Sequence, residues 1–386
     1  MHVLHVVSGI DPKAGGVSQA VQTMIKGLSQ LSVQNTVVTL DDPQAVYLQN
    51  VTFPVFATGP AKSAWQYSAD FLPWMKEHVT QYDWVIVHGL WQYHTYATHK
   101  ALAQLKTKKP KLYVMPHGML DPWFQRAAGR KLKAIRNWIF WQLIENKLVN
   151  QADGLLFTCE MEKTLAEIPF RPYSPKTENV VSLGVEAPPA FTPAMALAFQ
   201  AKCGGLSREF ILFISRIHVK KGVDLLIDAY RKLKAAGVSL PQLVIAGPGL
   251  ETAYGQEMQQ RAGGDTDILF PGMLEGNAKW GGFHTCEAFI LPSHQENFGI
   301  AVVEALACSK PVLISDQINI WKEIELEKAG MIENDTENGT YTLLQRWTAL
   351  TGDQKQQMAL RAKTAFETHF TMSQASRRML RALNRN

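Results

Sequence analysis

An α/β protein built of two doubly wound halves is the fold class that the sequence predicts. Three observations carry the prediction. The chain has 386 residues, more than one hydrophobic core usually sustains. Short apolar runs alternate with amphipathic stretches, the signature of parallel βαβ units. The alternation breaks once, at the Pro-rich segment Pro188–Pro193, and then restarts.

Before the break, apolar runs at Val3–Val7, Asn35–Leu40, Trp84–His88, Leu112–Pro116 and Gly154–Thr158 read as strands. Amphipathic stretches at Val17–Leu31 and Ala127–Gln151 read as helices between them. After the break, strands are expected at Phe210–Ser215, Gln242–Ala246, Ile268–Phe270, Ala288–Pro292 and Pro311–Ser315. The last ~35 residues read as helix, with Arg377, Arg378, Arg381 and Arg385 near the end. Two such halves are expected to face each other across a cleft, with ligands bound at the carboxyl ends of the strands.

Composition narrows the function. Hydrophobic residues make up 46% and charged residues 19%, as in a globular protein with a sizeable core. A net charge of +5 and a pI near 8.9 favour anionic partners without choosing among them. Cys159, Cys203, Cys286 and Cys308 are far apart and form no CxxC pair or Cys/His cluster. That argues against a disulfide framework or a zinc site and for a reducing compartment. The opening MHVLHVVSG lacks the features of a signal peptide, and no apolar run has the length of a membrane span. The expectation is a cytoplasmic protein, at most peripheral on the inner face of a membrane.

Four segments have the composition of a ligand site. The first is Ser215–Gly222, after the apolar run FILFIS. Arg216 offers a planar pair of donors, Lys221 offers a point charge, and the helix opening near Gly222 offers free amides, which together suit a diphosphate. A solvated basic turn is the alternative. The second is Leu291–Leu306, with Glu296 and Glu304 eight residues apart. In one continuous helix they would stand ~80° apart around the axis and ~12 Å apart along it, a poor grip on one small group. Glu296 is therefore placed in a loop and Glu304 in the helix starting near Gly299, so that one accepts from sugar hydroxyls and the other from a ribose diol. The amides of Asn297, Phe298 and Gly299 at the helix start can offset charge on a leaving diphosphate. Glu304 stands among Ala301, Val302, Val303, Ala305 and Leu306, where a charge needs a partner.

The third segment is Val114–Trp123, in which His117 follows a strand and can bond a sugar hydroxyl. A satisfied structural histidine is the alternative. The fourth is Ser8–Ser18, where Gly15 and Gly16 let backbone approach a ligand. Its glycines lack the GxGxxG spacing, and Asp41 and Asp42 after the second strand leave only a weak nicotinamide-binding reading.

With these four segments in this order, the chain resembles the retaining glycosyltransferases of family four, which have the GT-B fold. Glu296–Glu304 matches the family's E-x7-E motif as ENFGIAVVE, and Arg216 with Lys221-Gly222 matches its donor-diphosphate pair. Gly15-Gly16 matches the N-terminal glycine loop, and PHGMLDPW matches a segment of members that build bacterial surface polysaccharides. The resemblance implies an acceptor domain at 1–190, with the helix at about 370–386 packed back on it, and a donor domain at 191–369. It implies hexose transfer from a UDP- or GDP-linked sugar to a saccharide or lipid-linked saccharide, with no metal or other cofactor. His117, Glu296, Arg216 and Lys221 would be catalytic. Gly15, Gly16, Met273, Leu274, Asn297, Phe298, Gly299 and Glu304 would bind the donor, Met273 and Leu274 beside its base. Ser215 stands where many members have Gly.

Gly129–Trp141 mixes cations with aromatic residues and could lie on an anionic membrane, where a lipid-linked acceptor would be found. Packing on its own domain is the alternative. Two other functions stay open: a sugar-nucleotide epimerase on the same architecture and a basic nucleic-acid-binding protein. The second is disfavoured because the cations are spread along the chain with no reader motif.

Overall fold

The computed structural model describes residues 1–12, 15–106, 109–127 and 129–384. Lys13 and Ala14 of the glycine-loop segment, Ala128 of the 127–151 stretch and the C-terminal cation Arg385 lie outside the described residues. The chain forms two units. One is Met1–Gly184 together with the chain from Met372 onward, and the other is Val185–Thr371.

The first unit holds a parallel sheet of β1 (His2–Val7), β2 (Gln34–Thr39), β3 (Val55–Ala57), β4 (Trp84–His88), β5 (Lys111–Met115), β6 (Gly154–Phe157) and β7 (Glu178–Val180). Their order is β3-β2-β1-β4-β5-β6-β7. The second holds β8 (Phe210–Ile214), β9 (Gln242–Ala246), β10 (Ile268–Gly272), β11 (Ala288–Leu291), β12 (Val312–Ser315) and β13 (Gly330–Glu333), in the order β10-β9-β8-β11-β12-β13. Helices cover both faces of such sheets, which is why central strands such as β9 are buried throughout. Each order reverses direction once, between β1 and β4 and between β8 and β11. In open α/β sheets such a reversal is where the loops leaving the carboxyl ends of the strands diverge and ligands bind.

β3, β7 and β13 were not among the expected strands. Each has only three or four residues and is partly exposed, so none carries a long apolar run. The 127–151 stretch is not one regular helix. A short helix ends at Arg126, Gly129 takes φ +75°, and a new helix runs Lys131–Phe140. A π turn at Trp141–Glu145 then leads into Asn146–Gln151. The π turn buries Trp141 and aims Glu145 at the Trp91 amide and the Thr95 hydroxyl, both 2.8 Å away.

Pro193 is not linker but the first residue of the helix Pro193–Cys203, where its missing N–H costs nothing. The C-terminal segment is also divided. Helix Gly352–Ala365 and a π turn to Phe370 stay in the second unit, extended Thr371 follows, and helix Met372–Asn384 returns to the first. It packs on the Gly16–Ser29 helix so closely that a Cβ on Gly27 would stand 2.0 Å from the Ser376 hydroxyl oxygen. The carbonyl of Leu383 accepts from the Trp84 indole at 3.1 Å.

Candidate functional site

In the second unit the candidate residues gather at the β8/β11 switch point. Beyond β8 the chain makes a 3-10 turn at Val219–Lys221, and Gly222 takes φ +67° before the helix Val223–Ala235 begins. A Cβ on Gly222 would lie 2.2 Å from the Pro292 carbonyl oxygen, so only glycine lets this turn seat against the loop after β11. The Lys220 carbonyl ties the two loops, accepting from the His294 amide and the Ser293 hydroxyl, both at 2.9 Å.

That seating places Lys221, 5% exposed, in an ion pair with Glu296. Burial pushes the Glu296 carboxyl up, but the charges of Lys221 and Lys220 outweigh it and hold the group below its ordinary value. The Glu296 backbone is pinned on its other side, its amide on the Gln317 carbonyl and its carbonyl on the Asn319 amide, both at 3.0 Å. Arg216, five residues before Lys221 in the same loop, is exposed and makes no hydrogen bond or ion pair with the described residues.

Gly299 takes φ +76° and caps the helix Ile300–Ala307. Glu304 is buried on that helix and accepts from Lys279 at 2.6 Å. Burial raises its pKa, and Lys279 opposes the rise. The expected partner for a charge in an apolar run is thus Lys279, from the helix Gly276–Thr285. The crossovers β10→β11 and β11→β12 run in the same direction across the sheet, so right-handed connections put both helices on one face. Phe298 is buried against Phe370, with ring centroids 5.8 Å apart. Met273 is exposed and Leu274 buried, just beyond Gly272 at the end of β10.

The loop Gly247-Pro248-Gly249 was missed, although its composition after a fully buried strand was a usable signal. A Cβ on Gly247 would stand 1.8 Å from the Ser215 carbonyl oxygen, and the Pro248 carbonyl accepts from the Ile217 amide at 2.8 Å. This loop holds the Ser215–Arg216 backbone in place.

In the first unit the candidate residues lie at the β1/β4 switch point. Gly15, at φ +110°, precedes the Gly16–Ser29 helix and has nothing within 4 Å of a would-be Cβ. Asp41 does not stand free for a ribose: its carboxylate accepts from the Ile10 amide at 2.8 Å, from Thr39 at 2.7 Å and from Tyr47 at 2.7 Å. It braces the glycine loop, which removes the remaining support for the nicotinamide reading.

His117 follows β5 in the left-handed region at φ +52°. The Gly118 amide beside it donates to Glu162 at 2.5 Å, and Glu162 also accepts from the Thr158 amide and hydroxyl, clamping the loops after β5 and β6. The His117 Nε2 lies 3.0 Å from Nδ1 of His88 at the end of β4, a contact that sequence reasoning missed. Burial lowers the His117 pKa to about 4. The structure therefore brings Lys221, Glu296 and the 297–299 turn together within the second unit, with Arg216 in the same loop as Lys221. His117 and Gly15-Gly16 belong to the first.

Comparison with known proteins agrees with both halves. Residues 14–171 match the family described as Glycosyltransferase Family 4, and residues 204–339 the family described as Glycosyl transferases group 1. O-antigen chain mannosyltransferase C of Escherichia coli is 32% identical over 107 residues, which is 27% of each chain. D-inositol 3-phosphate glycosyltransferase of Jonesia denitrificans is 27% identical over 204 residues, 50% of this chain and 47% of that one. The alignments thus span about a quarter to a half of these relatives' lengths. The crystal structure of HepE from Anabaena in complex with UDP and glucose superposes over 100% of both chains, with a TM-score of 0.75 at 17% identity. The fold is the two-domain GT-B architecture.

Proposed function

We propose that this GT-B protein of the glycosyltransferase family-four type moves a hexose from a UDP- or GDP-linked sugar to a hydroxyl of a saccharide or lipid-linked saccharide, with retained anomeric configuration, in surface polysaccharide assembly. One observation carries the reading: a buried lysine, Lys221, paired with Glu296 at the switch point of the second sheet, with exposed Arg216 in the same loop. Such a pairing has no structural need at a loop tip, since a buried ion pair contributes little net stability. HepE binds UDP and glucose, and the Escherichia coli relative is a mannosyltransferase of O-antigen chains, which supports both the donor class and the pathway.

In this scheme Arg216 and Lys221 hold the diphosphate, and the amides of Asn297, Phe298 and Gly299 offset its developing charge. Glu296 accepts from donor-sugar hydroxyls. Glu304, oriented by Lys279, takes the ribose diol, and Met273 and Leu274 flank the base. Gly15 and Gly16 admit ligand close to backbone, and His117 bonds a saccharide hydroxyl. The acceptor oxygen bonds to the anomeric carbon as the bond from that carbon to the diphosphate oxygen breaks on the same face. The acceptor proton passes to the departing phosphate oxygen. No side-chain nucleophile, metal or other cofactor takes part, so catalysis is positioning and electrostatics.

The acceptor side includes a lipid surface. On the helix Lys131–Phe140, Leu132 is 84% and Trp138 56% exposed, with Ile135 and Ile139 exposed beside them and Leu143 on the next turn. Lys131, Lys133 and Arg136 are exposed on the same helix, a composition that suits anionic headgroups. Among the described residues no helix is long and apolar enough to cross a membrane.

The test is a thermal-shift screen of sugar nucleotides followed by turnover with saccharide acceptors. One nucleotide class should raise the melting temperature and release nucleoside diphosphate only with acceptor present. Lys221→Ala should cut turnover at least about tenfold. Unimpaired turnover in that variant, or isomerisation of the sugar nucleotide without acceptor, refutes the scheme.

A further inference from the structure

We propose that Asn35, His5 and His88 form a buried hydrogen-bond chain that fixes the tautomer of His117, so that its Nδ1 meets a saccharide hydroxyl as an acceptor only. The direction of the chain follows from one backbone carbonyl. The side-chain amide of Asn35 faces the Val33 carbonyl at 2.9 Å and the Ser29 hydroxyl at 3.2 Å on one side, and His5 Nε2 at 3.1 Å on the other. A carbonyl only accepts, so the group facing Val33 is the NH2 and the group facing His5 is the oxygen. His5 therefore donates from Nε2, and as a neutral ring it leaves Nδ1 bare.

That bare nitrogen lies 3.0 Å from His88 Nε2, which must then carry the proton. His88 Nδ1 is bare in turn and lies 3.0 Å from His117 Nε2. His117 is thus protonated on Nε2, and its Nδ1 is a lone pair. Strand register builds the chain. His5 on β1 pairs with Ile86, and His88 is two residues beyond Ile86 on the same face of β4. His88 pairs with Met115 of β5, and His117 is two residues beyond that. Each step climbs two residues toward the carboxyl edge, from the buried sheet to part-buried His117.

Neutrality holds the polarity. Burial lowers the pKa of His5 to about 4 and that of His88 well below the ordinary value, with no carboxylate in the chain to oppose it. His94, the fourth histidine of the cluster, donates from Nε2 to the His88 carbonyl at 3.0 Å and leaves both His88 ring nitrogens to the chain. Among the described residues no group of His, Cys, Asp or Glu has metal-holding geometry, so the rings are joined by protons. The ligand chemistry follows. A lone pair takes a hydroxyl proton, whereas a carboxylate or phosphate oxygen would meet it with a second lone pair and be turned away. His5, His88 and Asn35 are positioning residues. The hydroxyl named as ligand rests on the glycosyl-transfer reading, but the tautomer does not.

Long-range nitrogen–proton correlation spectra of the full chain, labelled on histidine, read the tautomers directly. At pH 7.5 the rings of His5, His88 and His117 should each show a protonated Nε2 and a bare Nδ1. A protonated Nδ1 on His117, or a mixture, overturns the proposal. In His88→Phe, the His117 signal should become a mixture of both tautomers. The saccharide KM should rise about fivefold with little change in kcat, the effect of one neutral hydrogen bond made equally in ground and transition states. An unaltered His117 tautomer in that variant also overturns it. The urea transition of the first unit, followed by tryptophan fluorescence, serves as the folding control, and if that variant does not fold, the unmodified protein still decides. If the protein transfers no sugar yet shows the predicted tautomers, the functional reading fails and the chain of rings stands.

Discussion

Acid should unfold the first unit well before ordinary carboxylate titration would. His5, His94 and His117 each have a pKa near 4 in the fold, against 6.5 when exposed. The shift is downward, so the unfolded chain binds more protons between pH 6.5 and pH 4. Stability is then complete above pH 6.5 and is lost as pH falls toward 4. At pH 5 each group costs about 2 kcal/mol, or about 6 kcal/mol for the three, at ~1.4 kcal/mol per unit. His88 adds to the loss with the same sign. Glu145 acts against them. Its pKa is raised from 4.5 to about 7 by burial, so the fold holds a proton in this window and regains roughly 2–3 kcal/mol at pH 5. The net loss is at least about 3 kcal/mol, a large share of a domain stability of ~5–15 kcal/mol. Urea unfolding followed by tryptophan fluorescence at pH 8, 6.5 and 5 measures it. His94→Gln supplies the control, because a glutamine amide can still donate to the His88 carbonyl but cannot take a proton. It should restore about 2 kcal/mol of the difference between pH 8 and pH 5, and the transition that moves is that of the first unit. A stability unchanged from pH 7 to 5, or a His94→Gln slope equal to the parent's, would refute the reasoning.

Lys279→Met leaves the Glu304 carboxylate buried without its cation and should cost about 2 kcal/mol, with Glu304→Gln in the same chain restoring most of it; equal stability of the parent and Lys279→Met in urea would show the pair to be idle. Gly222→Ala must fit a Cβ 2.2 Å from the Pro292 carbonyl at φ +67°, so it should lower stability by about 2 kcal/mol or more and weaken sugar-nucleotide binding. Undisturbed binding in that variant would mean that the two loops need not touch. The protein should float with vesicles containing anionic lipid and not with neutral ones, and neutralising Lys131, Lys133 and Arg136 together should abolish flotation; retention by the triple variant would remove the lipid surface from the acceptor reading.

Much of the second-unit site was legible because its chemistry is local. Arg216, Lys221 and Glu296 stand in loops immediately after apolar strands, and a charge in such a loop faces the carboxyl edge of the sheet whatever the rest of the chain does. The division of Glu296 and Glu304 between loop and helix followed from helix geometry alone. Lys279 was not legible, since nothing in GNAKWGG says which neighbouring helix its side chain reaches. The same holds for Asn35, His5 and His88. They lie on three strands and meet only through a register that the sequence does not encode locally. Asp41 left a weak nicotinamide-binding reading open by position and proved to be a brace, because its carboxylate accepts from Ile10, Thr39 and Tyr47. The edge strands β3 and β7 were too short for any periodicity to show.

The division of the chain at Gly184 and again at Met372 has a consequence for biosynthesis. A ribosome releases the second unit as one uninterrupted stretch, which can reach its native state while synthesis continues. The first unit has its β1–β7 sheet early but lacks its closing helix until the chain from Met372 onward emerges, with Gly27 and the rest of the Gly16–Ser29 surface left bare in the meantime. The half that begins first is therefore the half that matures last, and a stop codon a few residues after Thr371 would damage the opposite end of the protein from the one it shortens.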